Sequence, residues 1–326
     1  MKIMQIREIA NVAATLSEGL RRLGHEVTLR PMTARKSEGA VDISGLPRRL
    51  AEAYRIDREV RRGRFDVVHM HWAHTGWLGI LGRYPYFLHC HGFDLARNLD
   101  WPLLGWVTRV ALRRAQRVFY STPDLARYAE SVRKDAAFIP NPIDLQRFTP
   151  AAAREGRGER ILMMSRFEAK KGTETATAMV RRLRQRHPEV HVDAFDWGVL
   201  KPRSLNGDFN LIPRVPYGQM PSLFAGYDVI IGQFKLGIVS MSELEAMASG
   251  RPVVSFFDYP QVYDEPPPLF STRDPEEGAE TLARLLDDPD LRRQSGEAGR
   301  AWVEKHHECQ HVAGIVEGHY REVLGV

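Results

Sequence analysis

The stretch SELEAMASGRPVV, residues 242–254, holds both halves of an α/β unit in one short segment. Its small and apolar residues favour a helix that stops at Gly250, and the β-branched pair at its end favours a strand that begins at Val253. Two carboxylates, Glu243 and Glu245, fall in the first part of that helix. The stretch predicts a helix followed by a strand, and it leaves open what the two acids do.

Strand-like and helix-like segments alternate along the rest of the chain. KIMQI precedes the helical pattern VAATLSEGLRRLG, and RILMMS precedes the helical pattern TETATAMVRRLRQRH. This alternation predicts parallel sheets covered by helices. Between the two halves, residues 139–150 lose all periodicity and contain three prolines, and the polar segment AAAREGRGER at 151–160 follows. We therefore predict a linker and two tandem doubly wound, Rossmann-like domains that face each other across a cleft.

The predicted boundaries are an N-terminal domain over 1–148, a C-terminal domain over 149–305, and a last helix over 306–326 that crosses back to the first domain. The tail from Pro275 onwards has the pattern of three helices. In doubly wound sheets, ligands bind beyond the carboxyl ends of the strands, where the strand order reverses. We expect the site in the crevice that two facing domains would create.

Composition and charge limit the classes of function that fit this chain. The chain has 326 residues, 43% hydrophobic and 27% charged, and a net charge of +5, which favours an anionic partner. The basic clusters carry no nucleic-acid motif, so we expect no nucleic acid partner. No apolar run is long enough to span a bilayer, the start lacks the pattern of a secretory signal, and two distant cysteines suggest reduced thiols. We expect a cytoplasmic protein, with the inner face of the membrane as an open alternative.

Six short motifs occur in a fixed order along nearly the whole chain: FDVVHMH, HCHGFDL, YSTPDL, FIPNPIDLQRF, SRFEAKKG and LEAMASGRPVV. Together they resemble those of retaining glycosyltransferases of the GT-B fold, family 4. The resemblance implies transfer of a sugar from a nucleotide-diphosphate donor to a carbohydrate or lipid-linked acceptor, with retention of configuration. It also implies that the N-terminal domain lies on the acceptor side, that the C-terminal domain binds the nucleotide sugar, and that neither a metal ion nor another cofactor is needed.

The segment SRFEAKKG, residues 165–172, leaves a strand and enters a helix. Arg166, Lys171 and the helix N-terminus suit a diphosphate, because two cations and free backbone N–H groups attract anionic oxygens. The alternative is that both side chains merely decorate a loop. The resemblance implies that Arg166 and Lys171 bind the donor diphosphate and stabilise the leaving group.

The two acids of the opening stretch allow two helix-capping registers. Ser242 can cap the helix with Glu245 as its partner, or Ser240 can cap it with Glu243, which leaves Glu245 one turn further in. Either arrangement places carboxylates near the positive end of the helix. The resemblance implies that Glu245 binds the donor ribose hydroxyls, and we assign Glu243 to the cap or the surface.

The loop KLGIVS, residues 235–240, precedes this helix. We expect its backbone N–H groups to face phosphate and sugar, with donor-binding positions at Gly237, Ile238, Val239 and Ser240. Many family members carry a glutamate where this chain has Gly237, which leaves the donor sugar and the level of activity open; Lys235 or the backbone amides are possible substitutes. Backbone groups at Arg214 and Val215 are expected to meet the nucleobase.

In the N-terminal domain, HCHGFDL places His91 at a strand end, followed by Gly92 and Asp94. The resemblance implies that His91 lies close to the donor sugar and the reacting centre, where we expect it to position a hydroxyl rather than to attack. His71 and Trp72 follow another strand and either line the acceptor side or only pack. The first turn after a strand lacks the usual glycines and makes Asn11 a weak candidate for ligand contact. Asp94 is another weak candidate.

Three further interpretations stay open. Residues 101–117 form an amphipathic pattern that suits either packing on the sheet or peripheral membrane contact. A nucleotide-sugar epimerase of the same fold and a catalytically degenerate nucleotide-sugar-binding protein are alternatives to transfer.

Overall fold

The structure, a computed structural model, describes residues 1–32, 46–96, 98–150, 158–198, 200 and 207–326. Two compact units divide the chain: unit 1 comprises Met1–Pro142 and Cys309–Val326, and unit 2 comprises Ile143–Glu308. Most of the polar half of the predicted linker, residues 151–157, lies outside the described residues. Each unit contains one six-stranded sheet with helices, which confirms the predicted α/β class.

Unit 1 is built on a parallel sheet with the strand order β2-β1-β3-β4-β5-β6. Its strands are β1 (Lys2–Ile6), β2 (Glu26–Arg30), β3 (Val67–His71), β4 (Phe87–Cys90), β5 (Val118–Tyr120) and β6 (Ala137–Phe138). Its helices are α1 (Val12–Arg22), α2 (Leu46–Gly63), α3 (Trp77–Gly82), α4 (Phe93–Ala96), α5 (Pro102–Arg114), α6 (Ala126–Glu130) and α12 (Cys309–Leu324).

Alternating residues of this sheet enter two separate hydrophobic cores, because successive side chains of a strand point to opposite faces. Met4, Val68 and Leu88 lie in one core. Ile3 and Phe87 lie in the other, which α1 and α12 also line. Both faces are therefore covered, and most side chains of the inner strands are apolar, as is usual in parallel sheets. The buried polar exceptions are Gln5, His69, His71 and His89.

Unit 2 has a second parallel sheet with the strand order β12-β11-β10-β7-β8-β9. Its strands are β7 (Arg160–Met163), β8 (His191–Phe195), β9 (Asn210–Ile212), β10 (Val229–Ile231), β11 (Val253–Ser255) and β12 (Phe270–Ser271). Its helices are α7 (Thr173–Arg186), α8 (Met220–Ala225), α9 (Met241–Ala248), α10 (Pro275–Asp287) and α11 (Pro289–His307). Helices α10, α11 and α12 are the three predicted for the tail.

Each sheet reverses its strand order at one place. In unit 1 the reversal lies between β1 and β3, and in unit 2 it lies between β7 and β10. At such a reversal the connections leave towards opposite faces and open a crevice beyond the carboxyl ends of the strands. The topology therefore selects the loops after β1, β3, β7 and β10 as the places to look for a site.

Helix α5 buries three small residues and one leucine, Leu112, while large apolar residues nearer its N-terminus face solvent. Gly105, Thr108 and Ala111 are buried, whereas Leu103 is 77% exposed and Trp106 is 64% exposed. Among the described residues, no helix combines the length and the hydropathy that crossing a membrane requires.

The contact between α1 and α12 within unit 1 depends on Gly19. A Cβ atom at this position would lie 2.2 Å from the carbonyl oxygen of Cys309. We expect Gly19→Ala to destabilise the protein by about 1–3 kcal/mol, because the two helix backbones would have to separate. The control is Gly314→Ala in α12, where a Cβ atom would meet nothing within 4 Å and should stabilise by about 0.5–1 kcal/mol. Urea unfolding measures both, and equal effects would contradict the packing argument.

Candidate active site

The strand reversal in unit 2 brings two loops into contact. The N–H of Phe234, in the loop after β10, donates to the carbonyl of Lys171, in the loop after β7, at 2.9 Å. Gly172 makes this approach possible: its φ is 80°, and a Cβ atom there would lie 2.8 Å from the Cβ of Phe234. Glycine is the residue that accepts this conformation without strain. The two predicted segments SRFEAKKG and KLGIVS therefore adjoin the same crevice.

Arg166 and Lys171 lie near each other in this loop. The Arg166 guanidinium pairs with Glu168 at 3.3 Å. Burial lowers the pKa of the Lys171 ammonium; the Glu243 carboxylate opposes the shift, and the charge of Arg166 adds to it. Within the described part of the chain, the Lys171 ammonium makes no ion pair within 4 Å. A partly buried cation next to a second cation is a strong attractor for an anionic ligand.

An indole that the sequence analysis missed lies between two arginines. The guanidinium carbons of Arg166 and Arg214 lie 6.0 and 5.9 Å from the ring centre of Trp197. Trp197 follows β8 by two residues, at the same sheet edge as Arg166. Arg214, predicted only for its backbone, thus joins the cluster through its side chain, whereas Val215 packs against the unit 2 core. The sequence signal that could have pointed to Trp197 is an aromatic residue just after β8, the strand that pairs with β7.

Ser240 is the N-cap of α9, and Glu243 is its partner in the capping box. The second of the two predicted registers is therefore the observed one. The Glu243 carboxylate is fully buried. One oxygen accepts from the N–H of Gln233 at 2.8 Å and from the hydroxyl of Ser255 at 2.6 Å, and the other accepts from the N–H of Ser240 at 2.5 Å. Three donors satisfy this charge, so Glu243 holds the loop rather than a ligand.

The loop between β10 and α9 uses some of its N–H groups internally. Those of Lys235 and Leu236 donate to the side-chain oxygen of Gln233 at 3.1 and 2.7 Å. The N–H of Ser240 is already bonded to the capping carboxylate. Ser240 therefore offers no free N–H to phosphate or sugar, contrary to the expectation. In the described part of the chain, the N–H groups of residues 237–239 have no hydrogen-bond partner.

The geometry around Gly237 explains the absence of a glutamate there. Its φ is 69°, and a Cβ atom would lie 2.9 Å from the Cβ of Asp258 and 3.2 Å from the ring of Phe256. The N–H of Asp258 donates to the carbonyl of Gly237 at 2.9 Å. The turn therefore excludes a larger residue and brings an acidic residue alongside.

Glu245, also on α9, has a different environment. It is 5% exposed. Burial raises the pKa of its carboxyl to about 8, although a hydrogen bond from Tyr217 and the charge of Arg147 lower it. The Arg147 guanidinium in turn lies 5.1 Å from the ring centre of Tyr217. Glu245 is a buried acid with too few donors for its ionised form, which is typical of a functional group awaiting a ligand.

In unit 1, the loops after β1 and β3 meet at the strand reversal. The Arg7 guanidinium lies 4.7 Å from the ring centre of Trp72 and 3.0 Å from Nε2 of His74. Arg7 and Trp72 both have left-handed backbones, with φ of 75° and 78°. Such strain in residues other than glycine clusters at functional sites. Trp72 was predicted here, and Arg7 was missed because no motif marks it.

The N-terminus of α1 is already occupied by a side chain. A carboxylate oxygen of Glu8 accepts from the N–H of Ala14 at 2.7 Å, and the N–H groups of Asn11 and Ala13 also face this carboxylate. Asn11 caps the helix with φ of 62°. Glu8 thus takes the position where a phosphate would bind in a glycine-rich turn. Asn11 lies at this loop, but its N–H is directed to Glu8.

Asp94 anchors the loop that carries His91. Its carboxylate accepts from the N–H of His91 at 3.0 Å and from the N–H of Ala73 at 2.7 Å. Burial raises the pKa of Asp94 to about 6 in spite of these bonds. Asp94, which was predicted to contact the acceptor, therefore supports the neighbouring loops instead. His71 is fully buried, so it lies beneath His91 rather than on a surface that an acceptor could reach.

Three histidines of β3 and β4 bring ring nitrogens within 4.8 Å of one another, namely His69, His71 and His89. Their rings are stacked, with interplanar angles of 5° between His69 and His71 and 26° between His71 and His89. A nitrogen binds a metal through a lone pair in the ring plane, and lone pairs in parallel planes cannot converge on one ion. This stacking opposes a shared metal ion.

The raised pKa of Glu245 predicts that the protein loses stability as this carboxyl ionises. The ordinary value is 4.5 and the folded value is about 8, so ionisation of this group costs stability as the pH rises from about 4.5 to about 8. We expect Glu245→Gln to be more stable than the wild type by about 2–4 kcal/mol at pH 8, since a tenfold change in proton affinity is worth about 1.4 kcal/mol. The gain should shrink towards pH 5.

Urea unfolding at the two pH values checks this expectation. The matched control is Glu243→Gln on the same helix, which should destabilise because it loses a satisfied buried charge. A pH-independent effect of Glu245→Gln would contradict the assignment.

Comparison with known proteins identifies the class of enzyme. Residues 9–147 match the family model described as Glycosyltransferase Family 4, and residues 173–317 match the model described as Glycosyl transferase-like. No curated protein sequence matches the chain.

Solved structures of similar fold cover nearly the whole chain. Sucrose-phosphate synthase from Thermosynechococcus elongatus is 17% identical, with a TM-score of 0.74 over 100% of this chain and 99% of that one. HepE from Anabaena, in complex with UDP and glucose, is 12% identical, with a TM-score of 0.71 over 98% of each chain. A glycosyltransferase from Rickettsia africae is 14% identical, with a TM-score of 0.68 over 99% and 98%. With both units matched by glycosyltransferase models and the fold shared with GT-B enzymes, the chain belongs to the glycosyltransferases of the GT-B fold.

Proposed function

We propose that this protein transfers a hexosyl group from a nucleoside diphosphate sugar to an acceptor hydroxyl, with retention of configuration. The observation that carries the proposal is the pair Arg166 and Lys171 at the strand reversal of unit 2, where partial burial lowers the pKa of the Lys171 ammonium. The structure of HepE contains UDP and glucose, which supports a donor of this class. Two phosphates carry the density of negative charge that such a pair attracts.

The chemical step would be driven by charge stabilisation on the leaving group. Breaking the bond between the anomeric carbon and the phosphate oxygen builds oxocarbenium character on the sugar and negative charge on the diphosphate. Arg166, Lys171 and the N–H groups of residues 237–239 would take up that charge. The acceptor hydroxyl would attack from the face that the diphosphate leaves, and a phosphate oxygen would take its proton. Because protein groups supply the positive charge, we place no metal ion or other cofactor in this step.

The nucleoside would be held by the remaining groups of unit 2. The ionised Glu245 has lone pairs to accept hydrogen bonds from two neighbouring ribose hydroxyls, which would stabilise its buried charge. Arg214 and Trp197 offer a cation and an aromatic face near the arginine that would bind the diphosphate, and they would contact the base side. In unit 1, we place His91 and Trp72 at the reacting sugar and the acceptor.

The alternative of a degenerate binding protein rests on Gly237. Its turn excludes the glutamate that many family members use to hold the donor sugar. Thermal stabilisation by a panel of nucleotide sugars would identify the donor, since a ligand at about 100 times its dissociation constant adds about 2.7 kcal/mol. Product analysis with that donor then separates the classes: sugar on an acceptor indicates transfer, an epimerised donor indicates an epimerase, and no reaction indicates a binder.

Peripheral membrane contact is proposed for α5. Its exposed face carries Trp101, Leu103 and Trp106, which are 50%, 77% and 64% exposed, and Arg113 follows on the same helix. Tryptophan, leucine and arginine together suit the interface of an anionic bilayer. Such contact would hold the protein at the inner face of the membrane, where a lipid-linked acceptor is available.

Lys171→Ala tests the proposed leaving-group role. We expect turnover to fall by about 10²–10³ with little change in unfolding free energy, because the lost contact is strongest in the transition state. The matched control is Lys170→Ala; its ammonium is paired with Glu168 at 2.9 Å, and turnover should stay within a few-fold of the wild type. Steady-state kinetics with the identified donor measures both. Normal turnover of Lys171→Ala would remove this residue from the mechanism.

The membrane proposal is tested by sedimentation with vesicles. We expect the protein to bind vesicles that contain anionic lipid more strongly than neutral ones, and the double change Leu103→Glu with Trp106→Glu to abolish binding. Leu211→Glu is the control, because Leu211 is 41% exposed and lies in unit 2. Equal binding of the double variant and the wild type would overturn the proposal.

A further inference from the structure

A chain of buried polar side chains runs through unit 1 and ends at His91. The amide nitrogen of Gln5 lies 3.5 Å from the hydroxyl of Tyr320 on α12. The amide oxygen of Gln5 lies 2.6 Å from Nε2 of His71, and Nδ1 of His71 lies 2.9 Å from Nε2 of His91. Gln5, His71 and Tyr320 are all fully buried, so each link must be satisfied inside the protein.

The direction of these hydrogen bonds follows from the amide of Gln5. An amide oxygen only accepts, so His71 must carry its proton on Nε2. The other nitrogen of neutral His71, Nδ1, then holds a lone pair and must accept a hydrogen bond from the Nε2–H of His91. In neutral His91 the remaining nitrogen, Nδ1, is left with a lone pair.

Both imidazoles are held in the neutral form that this reasoning requires. Burial lowers the pKa of His71 to about 3, and burial together with the neighbouring His89 and His71 lowers the pKa of His91 well below its usual range. The backbone of His91 is held in place as well, because its main-chain N–H donates to the Asp94 carboxylate at 3.0 Å. The state of Nδ1 is thus set from within the fold.

Nδ1 of His91 is buried and has no hydrogen-bond partner among the described residues, while the side chain as a whole is partly exposed. We propose that Gln5 and His71 are positioning residues that fix the His91 tautomer with a lone pair on Nδ1, so that the ligand group it takes is a hydroxyl. A hydroxyl donates to that lone pair, whereas a phosphate or carboxylate oxygen would be repelled. This inference rests on the proposed function, since it names what His91 recognises in a sugar or an acceptor.

The tautomer can be measured without any ligand. Long-range proton–nitrogen correlation spectra of the full chain labelled with ¹⁵N-histidine report which ring nitrogen carries the proton. We expect His71 and His91 both to carry it on Nε2. A proton on Nδ1 of His91 in the wild type would overturn the proposal, and this outcome is independent of enzymatic activity.

Two variants then locate the cause. Gln5→Leu removes the acceptor that faces His71 and should give a mixture of His91 tautomers. Tyr320→Phe, the matched control, removes an equally buried polar group at the far end of the chain and should leave His91 unchanged, because the bond from His71 to Gln5 persists. An unaltered His91 tautomer in folded Gln5→Leu would contradict the role of Gln5.

A ligand titration separates this inference from the proposed function. The probe is the nucleotide sugar that stabilises the wild type most in the thermal panel. We expect it to shift the Nδ1 resonance of His91 and to bind Gln5→Leu roughly tenfold more weakly, as for one neutral hydrogen bond. If no nucleotide sugar binds, the proposed function fails while the tautomer stands; if one binds without moving that resonance, the assignment of His91 to a hydroxyl fails.

Discussion

The buried carboxylate of Glu243 is the interaction on which the loops at the strand reversal of unit 2 depend. It joins three segments, because its donors come from the loop after β10 at Gln233, from the start of α9 at Ser240 and from β11 at Ser255. A buried charge is tolerable only when it is fully bonded, so the loop has one arrangement that satisfies it. In that arrangement the N–H groups of residues 237–239 have no hydrogen-bond partner among the residues that the structure describes. The same charge opposes the lowering of the pKa of the partly buried Lys171 ammonium.

Glu245, on the same helix, has too few hydrogen-bond donors around it to satisfy its ionised form. It faces Tyr217 and Arg147, and burial raises the pKa of its carboxyl to about 8. One helix therefore carries a carboxylate that stabilises the fold and another that costs stability. Functional groups commonly have this cost, because a site ready for a ligand is incomplete without it. The number of hydrogen-bond donors around each carboxylate therefore distinguishes the roles of Glu243 and Glu245 more clearly than their spacing in the sequence does.

Unit 1 also buries polar side chains, but those in its sheet are neutral. Its sheet buries Gln5 and His71 where parallel strands normally carry aliphatic residues, and the equally buried Tyr320 of α12 lies next to Gln5. These side chains satisfy one another and transmit a defined hydrogen-bond polarity to His91. At the adjacent strand reversal, Glu8 occupies the helix end that a phosphate could use. In unit 1, therefore, a side-chain carboxylate satisfies the helix N-terminus that a glycine-rich turn would leave open to an anion.

Local pattern in the sequence was sufficient for the α/β class, the positions of most strands and helices, and the glycosyltransferase family, because periodicity and motif order are properties of neighbouring residues. It could also reduce the cap of α9 to two registers, but not choose between them, since Ser255 contributes to the choice from another strand. Trp197 beside two arginines, the burial of His71 and the pKa of Glu245 were not predictable in the same way. Each depends on water exclusion and contacts between residues far apart in the chain, which exist only once the sheets have formed.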